Sequence, residues 1–323
     1  MQRRNFLLST LASSVSAWQL PVWAQAGATT WPAHPLKLIC TSAAGSPLDA
    51  MMRALGKELA EILGQPTVVE NRAGGTGSVG MTQAQNSPAD GYTIVAATGS
   101  TSFLMAEANS RFQPDDFVFL RALQTEPSCV AVHRDSPLRT MDDLVQALKK
   151  DSNSINIGGY ATAGFHQYVL YRLEQEAGFK ATWVPYQGGN QALLALMGKH
   201  LDTAVITPST AMGQIRSGEV RLLGISSEAR SPFFPNLPTF KEQGLNVAET
   251  LWRGVMVTKG TPEPVLKALH KALLAVEEQP SWKAFMQENL QQDMPLAQPD
   301  FQRFVAKEVQ DRREFLQKIR KAA

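Results

Sequence analysis

Short apolar runs alternate along the chain with longer segments in which apolar residues recur every three or four positions. The first pair is an apolar run at Leu36–Thr41 and an amphipathic segment that ends at Gly64. Ser46, followed by Pro47 and Asp49, is typical of a helix start, because these residues supply an N-cap, a first-turn proline and a capping-box acid. The pattern therefore predicts a strand followed by a helix.

The same strand–helix unit repeats through most of the sequence, and three predicted helices, the first starting at Thr261-Pro262-Glu263, end the chain. The predicted strands are Leu36–Thr41, Thr67–Val69, Tyr92–Ala97, Cys129–Val132, Ile155–Gly158, Thr182–Val184, Thr203–Ile206, Val220–Ser226 and Leu251–Val257. Repeated units of this kind predict an α/β fold with mostly parallel sheets flanked by helices. We expect the C-terminal helices to pack back on the first part of the fold.

Composition fits this prediction. The chain has 323 residues, of which 44% are apolar and 19% charged, and such a length is typical of about two domains. The 31 basic and 29 acidic residues nearly balance, which argues against a nucleic-acid partner. No apolar run reaches the length of a membrane span. The five histidines show no metal-ligand spacing, and we predict neither a metal nor a cofactor.

Residues 1–26 have the features of an export signal. Two basic residues in Arg3-Arg4-Asn5-Phe6-Leu7 precede a stretch of small and apolar residues, and Val22-Trp23-Ala24 and Ala24-Gln25-Ala26 are alternative cleavage sites. The basic pair also resembles the twin-arginine export motif, and the sequence leaves the export route open. We therefore expect a periplasmic location.

The chain has two cysteines, Cys40 and Cys129, and each lies in an apolar, strand-like run. Both positions are consistent with buried thiols, while an oxidising compartment also permits a disulfide. Two cysteines do not decide between these alternatives.

The glycine-rich segment Gly75–Gly80 matches G-x-G-x-x-G and follows a predicted strand. A dinucleotide-binding fold needs an acidic residue about 20 residues further on to hold the ribose, but the next strand ends in Ala96-Ala97-Thr98. The segment is therefore interpreted as a turn that lets the chain approach a neighbouring group closely.

A serine hydrolase is an alternative that the sequence leaves open. Ser100 and Ser102 follow a predicted strand, and His166 lies at the start of a predicted helix. Gly99–Phe103 departs from the nucleophile elbow, because phenylalanine stands in the place of the last glycine. Whether a serine, a histidine and an acid converge depends on the fold.

The turns at the ends of the predicted strands share a chemistry that suits an anion. They follow Thr41, Ala97, Gly158, Pro185 and Ile206, and they place Ser, Thr, Gly or free backbone N–H groups at helix N-termini, where the helix dipole favours negative charge. Ligands of open α/β sheets bind at such strand ends. Facing turns would hold a carboxylate through main-chain nitrogens without an arginine, although each turn alone is typical of ordinary capping.

The order and spacing of several short motifs along the chain are distinctive. The motifs are Trp31-Pro32-x-x-Pro35-Leu36-Lys37-Leu38, Val69–Gly74, Asp90–Thr93, Val184–Gly189, and Arg230-Ser231-Pro232 with Leu237-Pro238-Thr239. Together they resemble the Bug receptors, the extracytoplasmic solute receptors of tripartite tricarboxylate transporters. The resemblance covers nearly the whole chain after the signal. It implies a two-lobed, type II periplasmic-binding-protein fold, with one lobe in residues 27–127 and 250–323 and the other in 128–249.

The resemblance also implies the function. Receptors of this family close around a small carboxylate or amino-acid-like anion and deliver it to membrane permease subunits, and we expect a monomer without catalytic activity. The ligand-binding residues that the resemblance implies are Ser46, Asp49, Thr98, Ser100 and Thr101 in the first lobe and Ala163, Gly164, Phe165, His166, Gly188, Gly189 and Thr207 in the second.

Three features depart from the family pattern. The loop Ala43–Asp49 is stiffer and bulkier than the usual Pro-Gly-Gly-rich loop, and Ile206-Thr207-Pro208 replaces a common Phe-Asp-Asn. Arg253, next to Trp252, would either pair with the ligand or, as we expect, be a solvated or structural arginine. A ligand sensor for a membrane signalling partner is a further alternative, because it would use the same closed state.

Overall fold

Two mixed β-sheets organise residues 31–322, the part of the chain that the computed structural model describes. The predicted export signal at residues 1–26 lies outside the described residues. The strands are β1 (Leu36–Cys40), β2 (Thr67–Asn71), β3 (Thr93–Thr98), β4 (Phe117–Pro127), β5 (Cys129–His133), β6 (Asn156–Tyr160), β7 (Thr182–Tyr186), β8 (Thr203–Ile206), β9 (Val220–Ile225), β10 (Thr250–Thr258) and β11 (Gln292–Ala297). The helices are α1 (Pro47–Leu63), α2 (Ser78–Gln85), α3 (Gly99–Ala106), α4 (Met141–Lys150), α5 (Phe165–Ala177), α6 (Gly189–Met197), α7 (Met212–Arg216), α8 (Glu263–Glu278), α9 (Pro280–Glu288) and α10 (Asp300–Ala322).

The first sheet has the strand order β11-β4-β10-β3-β1-β2, and the second has the order β7-β6-β8-β5-β9. The parallel pairs, β1 with β2 and β3 and β6 with β7 and β8, lie within the strand–helix units of the sequence. The sheets are more mixed than the alternation predicts, because β10 runs antiparallel to β3 and β4, and β5 runs antiparallel to β8 and β9. The sequence pattern also missed β4 and β11.

The chain passes from the first sheet to the second between β4 and β5 and returns into β10. The two crossing strands lie side by side, with Thr250 paired to Pro127. Buried hydrogen bonds fix the crossing: the Ser128 amide donates to Ser226 Oγ at 2.8 Å, and Ser226 Oγ donates to the carbonyl of Glu249. The connection between the lobes is therefore short and internally bonded.

The apolar core continues from one lobe to the other behind the crossing. Phe103 of α3 contacts Tyr168 of α5 with ring centroids 5.7 Å apart, and Phe315 of α10 packs against both, at 5.9 and 5.0 Å. A second apolar cluster lies on the opposite face of the first sheet and includes Leu55 of α1 and Leu273 of α8. The C-terminal helices thus pack on the first lobe, as predicted, but α10 also contacts the second.

Both cysteines are buried free thiols. Cys40 ends β1 in the first lobe, while Cys129 begins β5 in the second. Burial raises the pKa of Cys40 to about 11 and raises that of Cys129 well above its ordinary value. The structure therefore has the unreactive buried thiols of the first alternative rather than the disulfide. Within the described residues, no helix has the length and apolarity that crossing a membrane requires.

Gly254 offers a test of this architecture, because it lies in the middle of the first sheet. A Cβ added there would overlap the carbonyl oxygen of Arg121 and lie 2.8 Å from the Cα of Ala122. Since the obstacle is backbone, we expect Gly254→Ala to lower the free energy of unfolding by about 2 kcal/mol or more. Urea denaturation followed by circular dichroism measures this change.

Gly213→Ala is the matched control, because a Cβ at Gly213 in α7 has nothing within 4 Å. Alanine favours a helix over glycine by about 1 kcal/mol, so this variant should be as stable as the parent or more so. Equal midpoints for Gly254→Ala and the parent would contradict the packing described for β10.

Candidate ligand-binding site

A cleft lies where the carboxyl ends of strands from both sheets face one another. Its inner end is a cavity of about 110 Å³, and its outer part encloses about 770 Å³; the two share several lining residues. Helices α1 and α3 begin there in the first lobe, and α5 and α6 begin there in the second. The residues around the inner cavity are Thr41, Ser42, Ala43, Ser46, Pro47, Leu48, Thr76, Thr98, Ser100, Thr101, Tyr160, His166, Gln187, Gly188, Gly189, Thr207, Thr210, Leu251 and Arg253.

The structure brings most of the sequence-predicted residues to this cavity. Those that line it are Ser46, Thr98, Ser100, Thr101, His166, Gly188, Gly189 and Thr207, and those that do not are Asp49, Ala163, Gly164 and Phe165. All five strand-end turns singled out in the sequence contribute to the wall. Each turn directly follows a strand, which is the feature that the sequence offered, although β7 itself is exposed or half-buried along its length.

Asp49 lies behind the wall and holds the loop before α1. Its carboxylate accepts hydrogen bonds from the Gly45 amide at 2.9 Å, from Arg53 Nε at 3.0 Å and from Asn71 Nδ2 at 2.8 Å. Burial opposes ionisation, but these hydrogen bonds outweigh it and hold the pKa of Asp49 below its ordinary value. With its oxygens committed in this way, Asp49 positions the loop that carries Ser46.

Ala163, Gly164 and Phe165 shape the start of α5 from outside the cavity. The Ala163 amide donates to Gln167 Oε1 at 2.5 Å, so it is already occupied. Gly164 is the N-cap of α5 without a side-chain cap. Phe165 is buried in the apolar core that the lobes share. These residues therefore orient α5 and deliver the next residue, His166, to the cavity.

A reciprocal cap makes the start of α3 rigid. The Ser100 amide donates to Thr98 Oγ1, and the Thr98 amide donates to Thr101 Oγ1, both at 3.0 Å. Each hydroxyl accepts one hydrogen bond in this arrangement, and its own proton stays available as a donor. The first turn of α3 thus presents fixed O–H donors to the cavity.

The start of α6 presents backbone amides instead. Gly188, its N-cap, makes no side-chain capping bond, so the first N–H groups of the helix have no side-chain acceptor at that position. Gly189 packs closely on Thr210, since a Cβ there would lie 3.2 Å from Thr210 Cγ2. Uncapped helix N-termini attract anions through their free amides and the helix dipole.

His166 is buried in the wall with neither ring nitrogen hydrogen-bonded to any described residue. Burial, together with the positive charge of Arg253, lowers the pKa of His166 from 6.5 to about 3. The imidazole is therefore neutral near pH 7 and offers one N–H donor and one acceptor. Such an unpaired polar group is costly unless a ligand or water bonds to it.

Arg253 lies beside Thr98 across the β10–β3 pairing and lines the same cavity. It is 3% exposed, so the expectation of a solvated arginine is wrong, whereas the structural reading is supported by its partners. Its Nη1 donates to Glu126 Oε2 at 3.0 Å and to Gln291 Oε1 at 2.8 Å. The wall thus contains a fixed cation, whereas the sequence-based hypothesis expected main-chain nitrogens to hold the carboxylate without an arginine.

Glu126 links this cation to the second lobe. Its carboxylate has no exposed surface and accepts hydrogen bonds from the Ser209 amide at 2.6 Å and from Ser209 Oγ at 2.9 Å. Gln291 Nε2 donates to the same carboxylate at 3.0 Å. A buried carboxylate is tolerated only with such pairing, so Glu126 fastens Arg253 and the turn that follows β8 to one point.

Sequence reasoning missed several residues of the wall. They are Thr41, Ser42, Ala43, Pro47, Leu48, Thr76, Tyr160, Gln187, Thr210 and Leu251. Most of them stand within a few residues of a predicted strand end, which is the signal that would have found them. The sequence did single out Arg253 as an alternative partner of the ligand, but it did not predict the burial of this residue or its partners, which are distant in sequence.

The residues required for a serine hydrolase do not form a triad. Ser100 and His166 line the same cavity, but no hydrogen bond joins them, and no described aspartate or glutamate lines that cavity. Ser102 Oγ donates to Glu308 Oε2 at 2.5 Å, where Trp252 Nε1 also donates at 2.8 Å, and Ser102 is fully buried away from the cavity. His166 forms no hydrogen bond with a serine among the described residues. Across residues 31–322, no group of three metal-ligating side chains is found either.

The neutral state of His166 predicts a pH dependence of stability. An unfolded chain protonates this histidine near pH 6.5, whereas the folded protein resists protonation down to about pH 3. Since the unfolded state binds the extra proton in this window, stability falls as the pH is lowered through it. We expect the free energy of unfolding to lose about 2 kcal/mol more between pH 7 and pH 5 than it does in His166→Gln. Urea unfolding of both proteins at each pH measures this difference, and parallel pH profiles would contradict it.

Known proteins support the same fold and a solute-binding role. The family model described as the tripartite tricarboxylate transporter family receptor matches residues 51–320. BugT of Bordetella pertussis is 29% identical over 295 residues, which cover 89% of this chain and 90% of BugT. The structure of the periplasmic binding protein BugD superposes with a TM-score of 0.81 at 27% identity, over 89% of this chain and 98% of BugD. MatC of Rhodopseudomonas palustris, solved with bound malate, has a TM-score of 0.79 at 22% identity, over 88% of this chain and 99% of MatC.

These likenesses confirm the resemblance seen in the sequence motifs and the two-lobed α/β fold. The matched region includes the whole second sheet, every strand of the first sheet except β1, and the starts of α3, α5 and α6, while α1 begins four residues before it. The chain belongs to the tripartite tricarboxylate transporter family of receptors, which are extracytoplasmic solute-binding proteins and not enzymes.

Proposed function

We propose that this protein is a periplasmic receptor that captures a small carboxylate between its lobes and delivers it to the membrane subunits of a tripartite tricarboxylate transporter. The observation that carries the proposal is the cavity at which helices from both lobes begin, lined by hydroxyls and glycines. This is the chemistry that stabilises an anion. The family to which the chain belongs supports the transport role.

In this proposal, closure of the lobes is driven by the ligand. A ligand shifts a conformational equilibrium only by its difference in affinity for the two states. Contacts with Thr98 and Ser100 in one lobe and with His166 and Gly188 in the other exist together only when the lobes are close. The lobes would comprise residues 27–127 with 250–323, and residues 128–249, and the closed monomer would be the form that the permease recognises.

The proposed binding residues are those predicted ones that line the cavity: Ser46, Thr98, Ser100, Thr101, His166, Gly188, Gly189 and Thr207. Asp49, Ala163, Gly164 and Phe165 have a positioning role, because their bonds and packing hold the loop before α1 and the start of α5. The structure of MatC with malate suggests four-carbon acids as the first probes.

A thermal-shift screen of small carboxylates tests this function. A ligand that binds only the folded state stabilises it by about 2.7 kcal/mol at a concentration one hundred times its Kd. We therefore expect Tm to rise by several degrees with at least one mono- or dicarboxylate, and not with the corresponding amide. A response to sugars or metal ions and to no carboxylate would show that the ligand class is wrong.

A substitution at Gly188 separates binding from stability. Gly188 has an extended backbone, with φ −165° and ψ 158°, and a Cβ there meets nothing within 4 Å. Gly188→Asp would cap α6 and place a carboxylate on the amides proposed for the ligand, so Tm should hold or rise while carboxylate affinity falls at least about tenfold through charge repulsion. Calorimetric titration measures the affinity.

Gly188→Ser is the control for this substitution, because serine caps the helix without adding charge. It should retain more of the affinity than the aspartate variant does. Equal affinities for the aspartate variant and the parent protein would show that the start of α6 takes no part in binding.

A further inference from the structure

The charged groups around the cleft are unusually few. Among the described residues, neither the inner cavity nor its outer part is lined by an aspartate or a glutamate. Arg253 is the single charged side chain in these linings, because His166 is held neutral by its burial. The electrostatic attraction of the site for an anion therefore depends on which N–H groups of the Arg253 guanidinium are free to bind it.

Hydrogen bonding leaves one edge of the guanidinium unused. Both bonds that Arg253 makes to described residues leave from Nη1, to Glu126 at 3.0 Å and to Gln291 at 2.8 Å. The Nε–Nη2 edge takes part in neither bond. That edge has the two parallel N–H donors that match the two oxygens of a carboxylate, and Arg253 lines the cavity.

The ion pair with Glu126 leaves Arg253 able to bind a ligand carboxylate, because Arg253 is only one of several partners of Glu126. Ser209 donates to Glu126 twice, at 2.6 and 2.9 Å, and Gln291 donates once, at 3.0 Å. The carboxylate is thus stabilised from both lobes and fixes the guanidinium by a single nitrogen. Glu126 acts as a positioning residue that holds Arg253 in the cavity wall.

We propose that the Nε–Nη2 edge of Arg253 binds the ligand's carboxylate directly, and that the site takes simple and hydroxy-substituted carboxylates in preference to amino acids. This inference rests on the proposed function and narrows its ligand class. An α-ammonium group would lie next to the carboxylate, close to Arg253 and without an acidic partner in the lining. A hydroxyl in its place meets Ser100, Thr101 and the neutral imidazole of His166, which both donates and accepts.

Matched pairs of ligands test the preference on the unaltered protein. Lactate and alanine, malate and aspartate, and 2-hydroxyglutarate and glutamate differ only in a hydroxyl against an ammonium, and lactamide removes the carboxylate charge. Isothermal titration should give at least one hydroxy acid a Kd about tenfold or more below that of its amino partner, as expected for a difference of about 1.4 kcal/mol or more. An amino acid that binds as tightly as its hydroxy partner would overturn the preference.

Substitutions test the direct contact. Arg253→Gln should weaken binding of that hydroxy acid by about 30-fold or more, the usual result of truncating a desolvated charge partner. The double variant Glu126→Gln/Arg253→Gln serves if the single variant fails to fold. It removes both charges of the pair, keeps hydrogen-bonding groups at both positions and leaves no unpaired buried carboxylate. Arg230→Gln is the control, because it deletes one positive charge from an exposed pair with Glu242 and should bind like the parent protein.

The outcomes separate this inference from the function on which it rests. Unchanged carboxylate binding in the double variant would overturn the role of Arg253 and leave the receptor function intact. Binding of other carboxylates but of none of the three hydroxy acids would overturn the assigned ligand class alone. No response of the parent protein to any carboxylate, in titration or in the thermal-shift screen, would remove both.

Discussion

The site depends on the hydrogen bonds and the ion pair that stabilise the buried carboxylate of Glu126. A carboxylate without solvent is strongly destabilising unless several donors surround it, and Glu126 finds them in Arg253, Gln291 and Ser209. Because Ser209 belongs to the second lobe, the same carboxylate joins the two lobes and fixes the guanidinium in the cavity wall. The same carboxylate therefore determines both how the lobes are joined and where the positive charge of the site lies.

A second network joins the lobes from behind. Arg312 of α10 pairs with Glu308 and with Glu249, and Glu249 also pairs with Arg172 of α5. Arg312 lies over the ring of Tyr168 at 3.9 Å. Both α3 and α5 begin at the cavity, and α10 packs along α3. The network therefore fixes the start of α5 relative to the start of α3. Motion of one lobe against the other must accommodate these contacts.

Two kinds of hydrogen-bond donor that suit an anion meet in the cleft. Helix starts provide partial charges through amides and hydroxyls, which tolerate many ligand shapes, whereas an arginine edge demands a planar carboxylate at one place. The capping pair of Thr98 and Thr101 makes the first kind rigid, and the Glu126 pairing makes the second rigid. Preorganised donors of this sort bind an anion without reorganising when it arrives.

The sequence by itself determined the strand–helix units and the turns at which α1, α3, α5 and α6 begin, because caps, prolines and apolar periodicity act over a few residues. It also identified most of the small polar residues of the cavity wall. It missed β4, whose buried Arg121, Gln124 and Glu126 interrupt the apolar pattern of a strand. Only the tertiary structure decided the placement of Arg253, whose partner Glu126 is 127 residues away, and the exclusion of Asp49 from the wall. Burial and pairing of charges are settled by contacts between distant segments, which no local pattern records.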